Sequence, residues 1–480
     1  MEDYIWVGIL AVVVIFLAVL LIRTWAFKPK KLAEIDESEV SFDKDRAVKT
    51  LSELIKCKTI SNYDRSLEDD KEFDKLISLL PTLYPKVFEK CQYLEFEDRG
   101  ILFKLSGKSH DNPTVFMAHY DVVPVLEERW EKPPFSGEVI DGVMWGRGTL
   151  DTKITFSNSL LAIETLLEQG FVPENDIYLA YSGNEEVMGK GAQNIVDYFE
   201  KENIVPALVL DEGGAVVSGV FPGVKQPCGL IGIAEKGFID VEYKVNSNGG
   251  HASAPKPHTP IGILADAVSK VENNPFPFYL TKPVSEMFDN LGRHSNFVYR
   301  LIFSNLWLFK GVLNSICKKG GGEMNALVRT TVAFTMAKGS DASNVIPPEA
   351  SVVSNIRLNP MDTVDGAIER LKKTIDNDQV QVNAIRGYNP SRISTTDSVG
   401  YRKVANAIAS TWKGTLVSPY LMVQCSDSRH YGKISDKVYR FSSMDLTSEE
   451  RGTIHGNNEK IRLETIYKSL EFYIRLAKNC

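Results

Sequence analysis

The sequence predicts an α/β fold in which helices flank a mixed β-sheet, with a second, ferredoxin-like α+β domain inserted into it. Two observations predict this class. Short apolar runs of strand length, at residues 101–105, 114–118, 176–182 and 207–210, alternate with helical stretches. From residue 238 to residue 385 the order of elements changes to β-α-β-β-α-β, which is the ferredoxin-like order. A third observation, a long apolar run near the N-terminus, adds a separate helix in front of the fold.

The apolar run covers residues 5–22 and is long enough to cross the hydrocarbon core of a bilayer as a helix. It is followed by four basic residues, Arg23, Lys28, Lys30 and Lys31. We predict a single transmembrane anchor with a basic flank, residues 1–31. Two alternatives stay open, a cleaved signal peptide and a buried core helix, although a signal peptide normally has basic residues before its apolar run. The basic flank favours a cytosolic position for the large domain, but the side of the membrane is left open.

The remaining chain divides into three predicted segments. Residues 32–236 and 387–480 are two parts of one domain, and residues 237–386 form the inserted domain. In the first part, Asp43 can cap a helix that extends through Leu54. A further helix carries Phe156, Leu160, Ile163 and Leu167 on one face. In such sheets the chemically important residues lie at strand ends and in the loops that follow.

The inserted domain contains a long apolar and aromatic segment, residues 278–317, that the ferredoxin-like order does not use. It includes Leu301-Ile302-Phe303 and Leu306-Trp307-Leu308-Phe309. One interpretation is a set of extra helices that pack on the inserted domain. The other is an apolar surface that contacts a substrate or a membrane.

Composition excludes some classes of function. The net charge of the 480 residues is −7, and the Lys and Arg residues beyond the N-terminal flank are interspersed with acids, so we predict no nucleic-acid partner. The six cysteines are dispersed without a C-x-x-C pair, so we predict buried or free thiols.

Candidate metal ligands occur in order along the chain. His119 follows an apolar strand, and Asp121 two residues later can orient its ring. Asp151 follows two glycines that permit a tight turn, although it could instead cap the next helix. Alone, each of these contexts also fits an ordinary strand end or turn.

Further carboxylates and a late histidine complete the series. Glu185 and Glu186 follow a strand and a glycine, Asp211 ends another apolar run, and His455 precedes a C-terminal helix. Adjacent carboxylates such as Glu185 and Glu186 repel, which a bound cation would offset. Imidazole and carboxylate are the ligands that zinc takes in sites that stay open to water and substrate. The series therefore predicts a hydrolase with two zinc ions per chain.

In this order, the motifs resemble those of the metallopeptidase family of carboxypeptidase S, carnosinase, glutamate carboxypeptidase and the aminoacylases. The resemblance covers nearly everything after the apolar N-terminus, and is greatest for the branch of carboxypeptidase S and the N-fatty-acyl-amino-acid synthase/hydrolase. It implies a zinc-exopeptidase fold with a lid or dimerisation domain. It also implies that His119 and Asp211 bind one zinc, that Glu186 and His455 bind the other, and that Asp151 bridges both. Glu185 would be the general base, and Asp121 would orient His119.

Three more residues match motifs of this family. His251, in Gly249-Gly250-His251-Ala252-Ser253, is similar to a lid histidine that stabilises the oxyanion, often from the partner subunit of a dimer. Asn344 and Arg429 are similar to residues that hold a substrate carboxylate, although Arg429 could instead pair with Asp427.

The expected activity is hydrolysis of an amide bond next to an amino acid with a free carboxylate. The substrate would be a peptide or an N-acyl amino acid, Glu185 would move the proton, and the reverse condensation is open. The alternatives are an aminoacylase or aminopeptidase on soluble polar substrates, and a catalytically silent scaffold. A homodimer through the inserted domain is expected because His251 has to reach an active site.

Overall fold

The computed structural model describes residues 2–30, 34–219 and 221–480. Its helices are α1 (Glu2–Ala26), α2 (Lys44–Ile55), α3 (Asp70–Leu83), α4 (Pro85–Lys90), α5 (Lys153–Glu168), α6 (Gly191–Lys201), α7 (Pro260–Asn273), α8 (Lys282–Gly292), α9 (Phe297–Ser304), α10 (Leu306–Gly320), α11 (Gly322–Val328), α12 (Val364–Ile375), α13 (Val399–Thr411), α14 (Ser448–Thr453) and α15 (Leu463–Lys478). Its strands are β1 (Gln92–Phe96), β2 (Gly100–Leu105), β3 (Ser109–His119), β4 (Val139–Ile140), β5 (Val143–Trp145), β6 (Asn175–Ser182), β7 (Leu208–Val217), β8 (Cys228–Glu235), β9 (Gly237–Asn246), β10 (Gly250–His251), β11 (Thr331–Lys338), β12 (Val345–Ile346), β13 (Glu349–Leu358), β14 (Gln381–Tyr388), β15 (Leu416–Met422), β16 (Val438–Leu446) and β17 (Lys460–Arg462).

The large sheet has eight strands in the order β1-β2-β6-β3-β7-β16-β8-β15. The four central strands β6, β3, β7 and β16 are parallel to one another. The pairs β1–β2, β2–β6 and β16–β8 are antiparallel. Helices α5 and α15 pack together in the main hydrophobic core beside this sheet. The predicted α/β class with a mixed sheet is therefore confirmed.

Local signals place the first helices as the sequence predicts. Asp43 caps α2, because its side chain accepts a hydrogen bond from the backbone N–H of Arg46 at 2.9 Å. The predicted apolar face of the next long helix lies in α5, where Phe156, Leu160 and Ile163 are fully buried. This helix is buried on almost all sides because it lies between the sheet and neighbouring helices α2 and α15.

The second sheet has four antiparallel strands in the order β11-β13-β9-β14. Helices α7 and α12 pack on it and share its own hydrophobic core. Along the chain, the elements β9, α7, β11, β13, α12 and β14 follow the ferredoxin-like order that the sequence predicts. After β14 the chain returns to the large sheet, to which β15 and β16 belong.

The apolar segment forms helices α8, α9 and α10, and α11 follows. These helices pack on β8 and β15 of the large sheet, in a cluster that includes Phe288, Phe303, Cys228 and Leu421. Their core is therefore separate from that of the four-stranded sheet, which differs from the expectation that extra helices pack on the inserted domain.

The N-terminal helix α1 contains a stretch long and apolar enough to cross a membrane, Tyr4–Ala26, with a mean hydropathy of 3.3 over its most apolar window. Only 6% of that window is buried, so α1 is not a core helix of the protein. All six cysteines are free, as the sequence predicts.

Candidate active site

The strand order brings the predicted site residues to one edge of the large sheet. His119 ends β3, and its register partner on the parallel strand β6 is Ser182, so both strands end at the same level. A short 3-10 turn, Glu185–Val187, follows β6 directly. Strand β7 lies on the other side of β3. Carboxyl ends of parallel strands meet at one edge, where open α/β sheets bind their ligands.

His119 is held in one orientation by Asp121. The imidazole Nδ1 lies 3.1 Å from the backbone oxygen of Asp121 and 3.3 Å from its Oδ1, and both residues are buried. Asp121 also accepts hydrogen bonds from the backbone N–H groups of Glu185 and Glu186, at 3.1 and 3.2 Å. Because Nδ1 faces these oxygens, Nε2 faces the cleft. Asp121 therefore positions three predicted site residues at once.

Asp151 lies between the two histidines. Its Oδ1 is 3.1 Å from His119 Nε2, and its Oδ2 is 2.9 Å from His455 Nε2. The residue that precedes α5 is Thr152, and no side-chain hydrogen bond caps that helix. Asp151 therefore faces the cleft and does not cap α5.

The second histidine pairs with Glu186. His455 Nε2 lies 3.1 Å from Glu186 Oε2, and the two residues are 269 positions apart in the chain. The backbone of His455 has a φ of 58°, in the left-handed region, which turns the loop after α14 so that the ring reaches the cleft.

The structure differs from the prediction at Asp211. It places Glu212, and not Asp211, beside His119, with 3.4 Å between His119 Nε2 and Glu212 Oε1. Asp211 accepts hydrogen bonds from the backbone N–H groups of Ser428 and Glu212, both at 2.9 Å. Successive side chains of a strand point to opposite faces, so only one of two adjacent carboxylates in β7 can face the cleft.

The two histidines and their carboxylates form groups with the spacing of a metal site. His119, Asp151 and Glu186 have ligand atoms within 4.8 Å of one another, and so do His119, Glu185 and Glu212. Burial lowers the pKa of His119, but Glu212, Asp121 and Asp151 outweigh burial and raise it well above its usual value. Hydrogen bonds to Asp151 and Glu186 raise the pKa of His455 to about 11.

The carboxylates of the cleft are costly to ionise without a cation. Burial, followed by repulsion from Asp151, raises the pKa of Glu212 to about 8. Burial, followed by repulsion from Asp427, raises the pKa of Asp211 to about 6. Divalent cations offset such repulsion, and a mixed set of imidazoles and carboxylates suits zinc. The donor set therefore fits the two-metal site that the sequence predicts.

Glu185 lies beside this group, and its surroundings favour the protonated form of its carboxyl group. Burial, only partly opposed by the charge of His119, raises the pKa of Glu185 well above its usual value. A carboxylate needs a raised pKa to hold a proton near neutral pH.

Sequence patterns did not single out Glu459, although it connects the two ends of the site. It is fully buried, and its Oε2 accepts a hydrogen bond from Arg147 Nη1 at 2.7 Å. Its Oε1 accepts from the backbone N–H groups of Gly148 and Leu150, at 3.1 and 2.7 Å. Glu459 thus holds the turn before Asp151 against the loop that carries His455. Its place four residues after His455 is the one signal that the sequence offered.

Arg429 lies at the rim of the acidic group. Its Nη1 donates to the backbone oxygen of Ser426 at 2.7 Å, and its Nη2 lies 3.5 Å from Asp427 Oδ1. Burial lowers the pKa of Arg429, but Asp427, Tyr388 and Glu185 together raise it above its usual value. The predicted alternative, pairing with Asp427, is thus present as a long contact and leaves other guanidinium nitrogens free of Asp427.

His251 lies in the small β10–β12 sheet, and Asn344 lies in the turn that directly precedes β12. His251 pairs in register with Val345, and the backbone N–H of Ala252 donates to the oxygen of Asn344 at 3.0 Å. His251 is exposed, and its Nδ1 accepts a hydrogen bond from the N–H of Ser253 at 3.1 Å. In the neutral ring this leaves Nε2 as a donor.

A cavity of about 500 Å³ opens directly from the candidate metal ligands. Asp151, Glu186, Glu212 and His455 line one part of it. The remaining wall is largely apolar and includes Val217, Phe221, Met287, Leu291, Leu327 and Leu446, all of them buried. Helices α8 and α11 supply part of this wall, so the predicted apolar segment contributes to the site.

An α/β sheet with histidines and carboxylates grouped at its strand ends defines a metal-dependent hydrolase. The chain belongs to the peptidase family M20/M25/M40, whose sequence model matches residues 115–479. This confirms the family resemblance and the predicted enzyme class.

Among its relatives, the chain is 37% identical over 483 residues to an N-fatty-acyl-amino acid synthase/hydrolase of Xenopus tropicalis, covering 97% of this chain and 93% of the relative. It is 35% identical over 431 residues to a probable carboxypeptidase S-like protein of Dictyostelium discoideum, covering 88% and 82%. In fold, it is similar to an M20 family metallo-carboxypeptidase of Sulfolobus solfataricus, with a TM-score of 0.65 at 19% identity over 90% of this chain and 98% of the other. Human carnosine dipeptidase 1 gives a TM-score of 0.62 at 16% identity, over 90% and 96%.

Proposed function

We propose that this protein is a membrane-anchored, two-zinc amidohydrolase that removes an apolar acyl group from the nitrogen of an amino acid with a free carboxylate. The observation that carries the proposal is the apolar cavity that opens from the metal ligands. Long acyl chains gain about 0.8 kcal/mol for each CH₂ that leaves water, so an apolar wall favours a lipidic acyl group over a polar one. The relatives named as N-fatty-acyl-amino acid synthase/hydrolases support the same substrate class.

His119, Glu212, Asp151, Glu186 and His455 are the residues that we propose as zinc ligands. Glu212 takes the place that the resemblance assigned to Asp211, because its carboxylate lies beside His119 Nε2. Asp151 is the proposed bridge, since its two oxygens face different histidines. Zinc held by these residues would supply a Lewis acid for the scissile carbonyl and would lower the pKa of a water molecule toward about 7.

Glu185 is the proposed general base. Its carboxylate belongs to the same group as His119 and Glu212, and its raised pKa suits it to accept a proton from the attacking water. The proton then passes from Glu185 to the leaving amine. Asp121 keeps Glu185 in place through the backbone N–H of Glu185. The same residues could run the reaction in the direction of condensation, because each transfer is reversible.

Arg429 and Asn344 are proposed to hold the substrate carboxylate, and His251 to donate a hydrogen bond from its Nε2–H to the oxyanion. Because His251 and Asn344 are exposed and neither lines the cavity at the proposed zinc ligands, we propose that they act on the site of a partner subunit. Mixing inactive Glu185→Gln chains with inactive His251→Ala chains tests this. Recovered activity supports sharing between subunits, and no recovery after verified subunit exchange contradicts it.

Helix α1 is proposed to stay on the mature protein as the anchor. Its C-terminal end makes specific polar contacts with the rest of the chain: Arg23 Nη2 donates to the backbone oxygen of Ser304 at 3.0 Å. These contacts join α1 to the folded domain and would be lost if α1 were cleaved off. An N-terminal sequence determined on protein from cells decides between an anchor, which retains α1, and a cleaved signal peptide, which does not.

The substrate proposal is tested with zinc-loaded, full-length protein in detergent. N-acyl amino acids that differ only in acyl length are compared with short dipeptides, and Glu185→Gln protein serves as the blank. We expect kcat/KM to rise with chain length, on the order of tenfold for each two or three methylenes until the cavity is filled. Faster turnover of dipeptides than of every acyl substrate would contradict the proposal and indicate a carboxypeptidase or dipeptidase.

A matched pair of variants tests whether the cavity holds the acyl chain. Met287→Trp places a larger side chain in the cavity wall, whereas Met336→Trp makes the same change at an exposed site. We expect Met287→Trp to lower kcat/KM for a long-chain substrate by about 10- to 100-fold, while an acetyl substrate is affected little. An equal loss on both substrates would mean that the cavity does not bind the chain.

A further inference from the structure

Helices α9 and α10 carry a group of large apolar side chains that are exposed. Its members are Phe297, Val298, Trp307, Leu308, Val312 and Ile316, and we call them the α9–α10 face. Their exposed fractions range from 39% for Leu308 to 63% for Val298. Single exposed apolar side chains are common, but a group on adjacent helices indicates an interaction site for a membrane, a protein or a ligand.

The orientation of this face is fixed by packing. Leu308, Val312 and Ile316 are spaced four residues apart, so they form one stripe along α10. On the other side of α10, Leu313 and Cys317 are buried in the same cluster as Phe303 of α9. Rotating α10 to hide the stripe would expose this cluster, so the exposed stripe is a property of the folded protein.

Helix α1 lies directly beside this face. Thr24 Oγ1 and Ser304 Oγ are 3.0 Å apart, and Arg23 Nε donates to Asn305 Oδ1 at 3.1 Å. Farther along α1, the ring of Phe16 meets the ring of Trp307 edge-on, with centroids 6.1 Å apart. The α9–α10 junction therefore follows α1 from Arg23 to Phe16, a rise of about 10 Å.

The contact between Phe16 and Trp307 fixes the depth of Trp307 in the bilayer relative to α1. If Arg23 lies at the headgroups at the end of the span, then Phe16 lies about 10 Å deeper along the span than Arg23, and Trp307 lies next to it. The polar groups at the junction satisfy one another, since Asn305 Nδ2 donates to Ser304 Oγ at 2.9 Å. Such internal pairing is what polar groups need where water is scarce.

The charges around the face suit an anionic leaflet. Helices α9 and α10 contain four basic residues and no acidic ones: Arg300, Lys310, Lys318 and Lys319. Lys28 follows the end of α1 and lies over the ring of Trp25, 4.1 Å from its centroid. Basic and aromatic side chains are the residues that mark the membrane interface.

We propose that the α9–α10 face inserts into the bilayer beside α1 and forms a second, monotopic membrane contact. The occupant is a lipid bilayer containing anionic lipids. An amphipathic helix of this kind buries its apolar face about 5–10 Å into the boundary between headgroups and acyl chains. The globular part of the protein is then held against the membrane in one orientation by two contacts. The proposal does not depend on the substrate.

The test uses the full-length protein in nanodiscs of phosphatidylcholine and phosphatidylserine, with and without bromine on the acyl chains. Bromine quenches tryptophan fluorescence at short range. The contribution of Trp307 is obtained as the difference between the wild-type protein and Trp307→Phe. Trp412→Phe gives the matched difference for a tryptophan that is buried in the protein core, so its signal should not change with bromine.

We expect brominated lipid to reduce the Trp307 contribution by about twofold or more, because the ring lies within the acyl-chain boundary. Aqueous iodide should quench it weakly. Strong quenching by iodide and none by bromine would overturn the proposal, since Trp307 would face water. Protection from both quenchers would also overturn it, because a protein, such as a second copy of this chain, would then cover the face.

A second pair of variants guards against an effect of Trp307→Phe on folding. Ile316→Glu places a charge on the exposed face, and Ile261→Glu does the same at an exposed site of α7. Both should fold in detergent. We expect Ile316→Glu alone to reduce quenching of Trp307 by brominated lipid, and equal quenching in both variants would contradict the inserted orientation.

Discussion

The metal cleft and the α9–α10 face are opposite kinds of surface, and each places side chains in an environment that is unfavourable for them. The cleft gathers carboxylates where burial penalises their charge, as the raised pKa of Glu212 shows. The α9–α10 face exposes apolar side chains where water penalises them. The first arrangement needs a cation and the second needs an apolar phase. The unfavourable charge in the cleft therefore indicates a bound cation, and the unfavourable exposure of apolar side chains on the α9–α10 face indicates an apolar partner.

One layer of helices connects these two regions. Met287 and Leu291 of α8 line the cavity beside the metal ligands, and α9 and α10 carry the exposed face. Phe288 and Phe303 join α8 to α9 in a common core, with ring centroids 5.3 Å apart. The segment that the sequence left between two interpretations therefore contributes a cavity wall on α8 and an exposed apolar face on α9 and α10.

The largest expected effect is at the cleft. Glu185→Gln removes the proton acceptor and keeps the shape of the side chain, so we expect kcat to fall by about 10²- to 10⁴-fold. Zinc content, measured by elemental analysis, should stay at the wild-type level because Glu185 is not a proposed ligand. Turnover close to that of wild type would remove Glu185 from the mechanism.

The next effect separates two adjacent carboxylates. Glu212→Gln should weaken zinc binding by more than about 100-fold, because it removes a proposed ligand, whereas Asp211→Asn should cost no more than the 10- to 100-fold typical of supporting groups. Competition with a chelator measures both affinities. The reverse order would restore Asp211 as the ligand and would show that β7 presents its other face when metal is bound.

A buried supporting residue should have an intermediate effect. Glu459→Gln weakens the ion pair with Arg147 and the hydrogen bonds to the turn before Asp151, so we expect zinc affinity to fall by about 10- to 100-fold. Glu449→Gln, at an exposed position where the carboxylate lies 4.0 Å from Lys460 Nζ, is the control. Unchanged zinc affinity in Glu459→Gln would mean that the turn is rigid without this residue.

The dependence of stability on pH tests directly whether the buried carboxylates of the cleft destabilise the metal-free protein. In the metal-free protein, the pKa of Glu212 is about 8 and that of Asp211 about 6, both above their usual values. The folded protein therefore holds protons that the unfolded chain has released, and the free energy of unfolding falls as pH rises from about 4.5 to about 8. His455, whose pKa is raised from 6.5 to about 11, adds to this decline above about pH 6.5, because there only the folded protein keeps it protonated.

Zinc should remove this decline, because the metal replaces the protons and binds more tightly as pH rises. Thermal unfolding with and without a chelator, at several pH values in this range, measures the effect. A metal-free protein that gains stability between about pH 5 and pH 8 would show that the cleft carboxylates are not destabilising.

Most of the fold and the outline of the site could be predicted from the sequence. His119, Glu186 and His455 come together as expected because each follows an apolar strand or precedes a helix, and parallel strands end at one edge. Local sequence patterns are informative for such positions. They also predict the four-stranded sheet, whose elements each have a clear periodicity.

Other features could not be predicted because they depend on contacts between distant parts of the chain. Asp211 and Glu212 are adjacent, and the face that each presents depends on the register of β7 with β16, which shifts at this point. Glu459 is a surface-type residue by composition, and its burial follows from contact with Arg147, 312 positions away. The course of α8–α11 along β8 and β15 is likewise a tertiary feature.

The smallest effect concerns the joint between α1 and the α9–α10 face. Thr24→Val keeps the shape of the side chain and removes the hydroxyl, which donates to the backbone oxygen of Leu20 at 2.7 Å and lies 3.0 Å from Ser304 Oγ. Each such bond contributes about 0.6–1.5 kcal/mol. We expect a decrease in Tm of no more than about 2 °C in detergent, with Thr24→Ser unchanged. A decrease as large as that of Glu459→Gln would show that the joint of α1 supports the fold as strongly as the buried ion pair of the cleft. The contrast between a membrane contact that orients the protein and a cleft that the fold depends on would then not hold.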